Sequence, residues 1–225
     1  MNEEKERIAQ GYDVLAAEDM GMDTEFHERC VALHSGYAGN ILDIGCGAGR
    51  LLQKIHAVTH APAKFYGLDI SEKLCEISRR NNPYTEVTRG DAEALPYKDD
   101  TFDIVFMTEA LEHLLDYDKA LSEVRRVLKP RGVFIVTVPN RDWARYDFYD
   151  KLRNKKLQPI DDHYFRVNEI RNYLRNNSFR IVKYRGSDNL YYYAPYHKYE
   201  QCIAFFFPFL YLKMKRLLFK CVNEK

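Results

Sequence analysis

A run of twelve residues, Ile41 to Leu52, constrains the fold of this chain more than any other stretch. Its first four residues are apolar apart from Asp43, which is typical of a parallel strand that is covered on both faces. Glycine then occupies every second position, at Gly45, Gly47 and Gly49. Glycine allows positive φ and lets a ligand approach the backbone, and the free N–H groups of a following helix suit an anionic group. The run therefore predicts a strand, a glycine turn and a helix that together hold a ligand.

Two nucleotide-binding families use a strand, a glycine turn and a helix in this order. The dinucleotide fingerprint G-x-G-x-x-G does not fit, because Arg50 stands where the third glycine is required. The pattern D-x-G-x-G-x-G instead resembles motif I of the class I S-adenosylmethionine (SAM)-dependent methyltransferases. The resemblance implies that the turn, including Cys46, packs against the methionyl part of SAM and that Asp43 helps to hold its amino end. An ordinary turn in which Asp43 caps nearby amides is the alternative.

Two further acids follow at the ends of predicted strands. Asp69 ends the second strand, 20 residues after Gly49, a separation at which a carboxylate can receive both ribose hydroxyls. Its alternative role is to cap the next helix. The segment from Gly90 to Pro96, GDAEALP, resembles the G-D-A-x-x-L-P motif of the same family. That resemblance implies that Asp91 accepts from the adenine amine and that the N–H of Ala92 meets a ring nitrogen.

The resemblance also implies cofactor contacts from Ile70, Thr108 and Tyr12. Tyr12 lies in a Y-D-x-x-A stretch that resembles the mobile lid of many small-molecule methyltransferases, although a packing role at a helix end is equally open. Later landmarks are Glu112-His113-Leu114 and the run RRVLKPRG that ends at Gly132. The similarity is strongest to the group that includes the ubiquinone- and menaquinone-biosynthesis methyltransferases, known as methyltransferase domain 11.

The predicted fold is a single α/β domain over residues 1–225. From Leu42 to Pro139 the element order reads βαβαβαβαβ, which predicts a parallel sheet with right-handed crossovers and helices on both faces. With a sixth strand from Phe179 and an antiparallel last strand, Leu217 to Val222, placed beside the fifth, the sheet is Rossmann-like and seven-stranded. We expect residues 1–38 to form a helical N-terminal lid, 39–140 the SAM-binding core and 141–225 the acceptor side, with an insertion at 186–215.

Composition narrows the classes of protein. Hydrophobic residues make up 46% of the 225 residues and charged residues 30%, as expected for a folded domain. The five Cys include no C-x-x-C pair, so we expect neither a disulfide framework nor a metal site. The charged N-terminus does not resemble a signal peptide, and the longest apolar run, Ile203 to Leu212, is too short to span a bilayer. These features predict a cytoplasmic protein.

Charge is distributed unevenly along the chain. Residues 1–140 carry 16 Lys and Arg against 24 Asp and Glu, whereas residues 141–225 carry 18 against 9 and hold 20 of the 31 aromatic residues. Either the back half meets an anionic or amphiphilic partner, or the two halves neutralise each other. Residues 191–220 have two corresponding interpretations: a peripheral membrane contact for a lipid-like acceptor, or a helix that covers the sheet or a homodimer interface.

The resemblance predicts transfer of the SAM methyl group to O, C or N of a small-molecule or lipid-linked acceptor, with S-adenosylhomocysteine (SAH) as product. A sulfonium methyl is already activated, so the protein chiefly aligns the reactants, and a base is needed only when the acceptor must lose a proton. His113, after the fourth strand, is either a base or a wall residue that contacts the cofactor, and His163 is either a base or a substrate binder. The alternatives are a protein or RNA methyltransferase and a non-catalytic SAM- or SAH-binding subunit. DNA is not expected, because Thr108 to Leu111 lacks the Asn/Asp-Pro-Pro-aromatic signature.

Overall fold

A computed structural model of the protein describes residues 2–16, 24–32, 36–141, 159–160, 163–187 and 216–225. The strands are β1 (Gly39–Ile44), β2 (Ala63–Asp69), β3 (Thr85–Arg89), β4 (Phe102–Thr108), β5 (Leu128–Pro139), β6 (Phe179–Ser187) and β7 (Arg216–Asn223). The helices are α1 (Glu3–Leu15), α2 (Thr24–Val31), α3 (Arg50–Val58), α4 (Glu72–Asn81), α5 (Tyr117–Val127) and α6 (Val167–Asn176), with a one-turn 3-10 helix at Leu111–His113.

The strands form one seven-stranded sheet in the order β3-β2-β1-β4-β5-β7-β6. Neighbours from β3 to β5 pair in parallel, and β7 pairs antiparallel with both β5 and β6. The predicted fold class and the antiparallel last strand beside the fifth are therefore confirmed. The strand order reverses between β1 and β4, and ligands of open α/β sheets bind at the carboxyl ends of the strands at such a point.

The two faces of the sheet carry separate apolar cores because side chains alternate along each strand. On β4, Val105 and Met107 pack into one core with α5 and α6, while Ile104 and Phe106 pack into the other with α3. Helices thus cover both faces, as predicted, and the continuous apolar runs in the central strands follow from this double burial.

The predicted helix between the third and fourth strands is wrong. Residues 90–101 contain turns and no helix. Pro96 lacks a backbone donor, and side chains of α5 satisfy the polar groups beside it. Glu123 Oε2 accepts from the N–H of Leu95 at 2.8 Å, and Arg126 donates to the carbonyl of Leu95 at 3.0 Å. Long-range contacts therefore hold this connection in place of a helical ladder.

Two strand boundaries differ from those that the sequence predicts. The sequence predicts that Thr108 to Leu114 extends the fourth strand, but the strand ends at Thr108, since residues 111–113 turn into the 3-10 helix. The sequence predicts a fifth strand from Gly132 to Val138, but the strand begins four residues earlier, at Leu128, and contains a bulge in which Arg131 takes φ 63°. The pairing partner on β5 consequently jumps from Leu128 to Val133.

The helical character predicted for residues 1–38 is represented by α1 and α2. Most of the predicted insertion at 186–215 lies outside the described residues, and so does most of the segment 191–220. In the part of the chain that is described, no helix has the length and apolar character needed to cross a membrane.

Candidate functional site

A cavity of about 320 Å³ opens at the carboxyl ends of β1, β2 and β4, beside the loop that follows β3 and beneath α1. It occupies the point where the strand order reverses, as the topology predicts. The predicted site residues in its lining are Tyr12, Asp43, Gly45, Cys46, Gly47, Asp69, Ile70, Asp91, Ala92, Thr108 and His113. The predicted residues that do not line it are Gly49 and His163.

The glycine turn is held by the strand beside it. The N–H groups of Gly45 and Cys46 donate to the carbonyl of Leu68 at 2.8 and 3.0 Å. Gly47 has φ +50°, and a Cβ placed there would meet nothing within 4 Å. Its backbone therefore presents an open surface to the cavity. At Gly49, which has φ +79° and caps α3, a Cβ would lie 2.1 Å from Asn82 Nδ2, so this glycine serves the packing of α3 against α4.

Asp43 is buried in the cavity wall with one oxygen unsatisfied. Its exposure is 1%, and Oδ1 has no hydrogen-bond partner among the described residues. Burial raises the pKa of Asp43 well above its ordinary range, and the nearby Asp69 carboxylate raises it further. A buried carboxylate without a donor is costly, and an ammonium group on a ligand would supply both the donor and the compensating charge.

Asp69 is buried too, but backbone donors compensate it. Its Oδ2 accepts from the N–H of Gly47 at 2.9 Å, and its Oδ1 accepts from the N–H of Ser71 at 3.0 Å. Burial raises the pKa of Asp69, while these bonds oppose the rise. Ser71, and not Asp69, caps α4, because its Oγ accepts from the N–H of Leu74 at 3.1 Å. An ionised carboxylate has about four lone-pair sites, so Asp69 keeps acceptor capacity for a ligand hydroxyl beside these backbone donors.

Asp91 has a partner that the sequence did not predict. Lys5 Nζ on α1 lies 2.5 Å from Asp91 Oδ2 and 2.6 Å from Glu93 Oε2. Asp91 Oδ1 accepts from the N–H of Glu93 at 2.9 Å, and Glu93 Oε1 accepts from the N–H groups of Leu115 and Asp116. Lys5 is buried and lines the cavity. No signal within residues 2–16 distinguishes it from an exposed helical lysine.

Two further sets of polar contacts hold helix α1 over the cavity. Asp13 Oδ1 accepts from Ser71 Oγ at 2.5 Å and from the N–H of Lys73 at 3.1 Å, so α1 contributes a second acceptor at the start of α4. At its other end, Glu6 pairs with Arg89 at 2.7 Å. Tyr12 lines the cavity between these points. The helix therefore covers the site through polar contacts along its length.

The two predicted histidines lie on opposite sides of one loop. His113 lines the cavity, and its ring meets that of Tyr12 edge-on at 6.1 Å between centroids. The ring Nε2 of His163 lies 2.8 Å from Glu169 Oε1, and the backbone N–H of His163 donates to the carbonyl of Glu112 at 3.2 Å. His163 thus supports the loop that carries His113 from behind.

His27, Arg50 and Glu109 also line the cavity and are among the lining residues that the sequence did not predict as site residues. Glu109 has φ 51° and shares hydrogen bonds of 3.0 Å with Thr137 Oγ1, one through its N–H and one through Oε1. Its position directly after β4 was the one available signal. Within the described ranges, no group of three or more His, Cys, Asp or Glu has the geometry to hold a metal ion.

Comparison with known proteins supplies the family. A model of the methyltransferase domain matches residues 42–136. A demethylmenaquinone methyltransferase from Streptomyces avermitilis is 32% identical over 157 residues, which is 68% of this chain and 67% of the relative. The chain belongs to the class I SAM-dependent methyltransferases. Within them it falls in the menaquinone-like group, since a second demethylmenaquinone methyltransferase, from Symbiobacterium thermophilum, is 34% identical over 149 residues, 63% of this chain and 59% of that relative.

The chain spans between 35% and 67% of the length of the first curated relatives that it matches. Among solved structures, the Haloferax volcanii complex between the Trm112 methyltransferase activator and a methyltransferase contains a chain that superposes with a TM-score of 0.79 at 22% identity, covering 97% of this chain and 98% of that one. At that identity the match supports the methyltransferase fold alone.

Proposed function

We propose that this methyltransferase moves the methyl group of SAM to a small, largely apolar acceptor and releases SAH. The observation that carries the proposal is Asp43, a buried carboxylate with an unsatisfied oxygen beside an open glycine turn. SAM offers what that oxygen lacks, because its methionyl end carries an ammonium group. The acid lies at the edge of the sheet where open α/β folds bind ligands.

We assign other lining residues to the methionyl, ribose and adenine parts of SAM. The backbone at Gly45, Cys46 and Gly47 takes the methionyl chain. Asp69 accepts from the ribose hydroxyls with the lone pairs that Gly47 and Ser71 leave unused. Asp91 accepts from the adenine amine, with Ile70 and Ala92 against the ring and Thr108 near the sulfonium.

Methyl transfer requires the protein chiefly to align SAM with the acceptor. The acceptor atom displaces SAH in line with the breaking S–C bond, so holding the two reactants in contact supplies most of the effect. SAM supplies the activated methyl group when it is bound. Where the acceptor is a phenol or an acidic carbon, a base must take its proton, and His113 is the histidine placed for this at the cavity wall.

Apolar residues of the cavity wall favour an apolar acceptor. Leu15, Leu114 and Leu115 line the cavity. Leu115 is 40% exposed, and Val14, next to Leu15 on α1, is 66% exposed, which adds apolar surface at the end of α1. Both demethylmenaquinone methyltransferase relatives are named for a quinone, which agrees with this character. Membrane contact through residues 191–220 and homodimer formation remain predictions, since residues 188–215 lie outside the described part of the chain.

The first test is calorimetric titration of the folded protein with SAM and SAH, for which we expect binding of both. The second is incubation with methyl-labelled SAM and four separate acceptor fractions: a reduced demethylated naphthoquinone, an organic extract, total protein and total RNA. We expect label in the first two. Label in protein or RNA would favour the alternative substrates, and binding without any transfer would favour a SAM-binding subunit. Folded protein without affinity for either nucleoside would refute the proposal.

A further inference from the structure

We propose that Lys5 is a positioning residue that holds Asp91 in the orientation that accepts an adenine amine, and so makes the enzyme selective for adenine. The inference rests on the proposed function, because it assigns Asp91 to the base of SAM. It concerns a residue of α1 that no motif marks and that lies 86 positions from Asp91 in the sequence.

The first step is that Lys5 forms a buried ion pair with two acids. The exposed fractions of the side chains are 9% for Lys5, 15% for Asp91 and 5% for Glu93. Burial lowers the pKa of Lys5, but its hydrogen bonds to the two carboxylates outweigh this and raise the pKa overall. The amine is therefore a cation between two anions, and breaking such a pair from one side leaves buried charge uncompensated.

The second step is that Asp91 is the freer of the two acids. Glu93 Oε1 accepts two backbone N–H groups, at 2.9 and 3.1 Å, which fix its carboxylate independently of Lys5. Asp91 has one bond of this kind, from the N–H of Glu93 at 2.9 Å. Without the ammonium, the like charge of Glu93 repels Asp91, and the weaker restraint lets Asp91 turn. Lys5 thus decides where Asp91 points.

The third step connects the orientation of Asp91 to recognition of the adenine ring. An adenine amine donates to a carboxylate, whereas hypoxanthine presents a carbonyl oxygen at the same position. A site built to accept from the amine rejects the carbonyl because two acceptors then face each other. If Asp91 turns away, that rejection is lost together with the hydrogen bond. The ratio of affinities for the two bases therefore reports the orientation of Asp91.

The experiment measures dissociation constants for SAH and for S-inosylhomocysteine, its deaminated counterpart, by calorimetry. The wild type should prefer SAH, and Lys5→Met, which keeps the unbranched chain and removes the charge, should lower that preference by about tenfold or more. Glu6→Gln is the matched control. Glu6 follows Lys5 on α1 and pairs with Arg89 at the end of β3, so Glu6→Gln removes a neighbouring ion pair between α1 and the sheet. This variant should raise the dissociation constants for both ligands by the same factor and leave the ratio of the two constants unchanged.

A ratio that Lys5→Met leaves unchanged, with both affinities reduced equally, would mean that Lys5 only docks α1, and the inference would be refuted. Lys5→Gln, which retains an N–H donor without charge, is the second variant if the first does not fold. We expect an intermediate ratio, and an unchanged ratio in the folded glutamine variant counts equally against the inference. Failure of the wild type to bind SAH would instead refute the proposed function.

Discussion

The substitution Asp43→Asn separates a ligand-binding role of this acid from a structural one. Asparagine has nearly the same shape, but it loses the charge and exchanges one acceptor oxygen for an NH2 donor. In the wild type Oδ1 has no partner among the described residues, so we expect the substitution to remove no hydrogen bond of that oxygen in the free protein. The SAM ammonium, by contrast, loses a charge-assisted bond. The two roles therefore predict opposite effects on the free energy of unfolding.

The expected loss of binding follows from the value of a hydrogen bond to a charged group. Such a bond contributes about 1.5–3 kcal/mol. At about 1.4 kcal/mol for each factor of ten, the dissociation constant for SAM should rise about 10- to 150-fold. SAH has the same amino end and should lose affinity by a similar factor, which calorimetry of both ligands can verify.

The effect on stability depends on pH in a known direction. Burial and Asp69 raise the pKa of Asp43 in the folded protein. The unfolded carboxyl titrates near a pKa of about 3.9, so this group stabilises the fold fully below that pH, and the stabilisation is lost as the pH rises toward the raised value. The asparagine variant has no titrating group at this position and does not lose stability in this way. The difference in free energy of unfolding between the variant and the wild type should therefore increase in favour of the variant as the pH rises above about 4, by up to about 1.4 kcal/mol per pH unit.

Denaturant unfolding of both proteins between pH 4 and 8 without ligand measures this difference. Asp69→Asn is the contrasting variant, because both oxygens of Asp69 accept backbone N–H groups. It should lose about 1–3 kcal/mol of stability at neutral pH. If the Asp43 variant instead loses stability relative to wild type as the pH rises, the acid is a structural cap with a lowered pKa, and the reasoning is wrong.

Three further predictions concern the same cavity. SAM binding should release protons below the raised pKa of Asp43, seen as a dependence of the calorimetric enthalpy on the buffer's ionisation enthalpy that Asp43→Asn abolishes. Gly47→Ala should weaken SAM binding while costing about 1–2 kcal/mol of stability for its positive φ; Gly49→Ala, whose Cβ would meet Asn82, should cost more stability, and equal losses for the two would contradict the packing described above. For an acceptor that must lose a proton, His113→Gln should lower kcat by about 100-fold or more, and a larger loss from His163→Gln would transfer the role of base to that residue.

The central strands could be predicted because their signal is local. The apolar runs of β1 and β4 are buried on both faces, so nearly every residue reports its environment. The prediction of a helix before β4 was wrong because the contacts that determine the structure there are not local. The contacts that hold residues 90–101 come from Glu123 and Arg126 on α5, and no local pattern reports them.

The site divides in the same way. Asp43 is the second-last residue of β1, Asp69 is the last residue of β2, and Asp91 lies two residues after the end of β3. The parallel strands therefore bring all three acids to one edge of the sheet. Lys5 reaches Asp91 only because α1 packs across that edge. A lysine in an amphipathic helix is usually exposed, and its burial depends on the two acids that receive it. The sequence therefore predicts the acids that the strands bring to the cavity, whereas on the covering helix it predicts Tyr12 and misses Lys5.

Part of the acidic balance of residues 1–140 lies in the cavity of the proposed cofactor. Asp43, Asp69 and Asp91 line one cavity, and the charge of Asp69 raises the pKa of Asp43. Such an arrangement destabilises the free protein, because like charges in a buried site repel. SAM carries positive charges on its ammonium and its sulfonium and one negative charge on its carboxylate, so its net positive charge would relieve this repulsion on binding. Asp43, whose Oδ1 has no partner among the described residues, is thus the acid that gains most from the cation, and Lys5 compensates Asp91 and Glu93, which the proposal assigns to the uncharged adenine end.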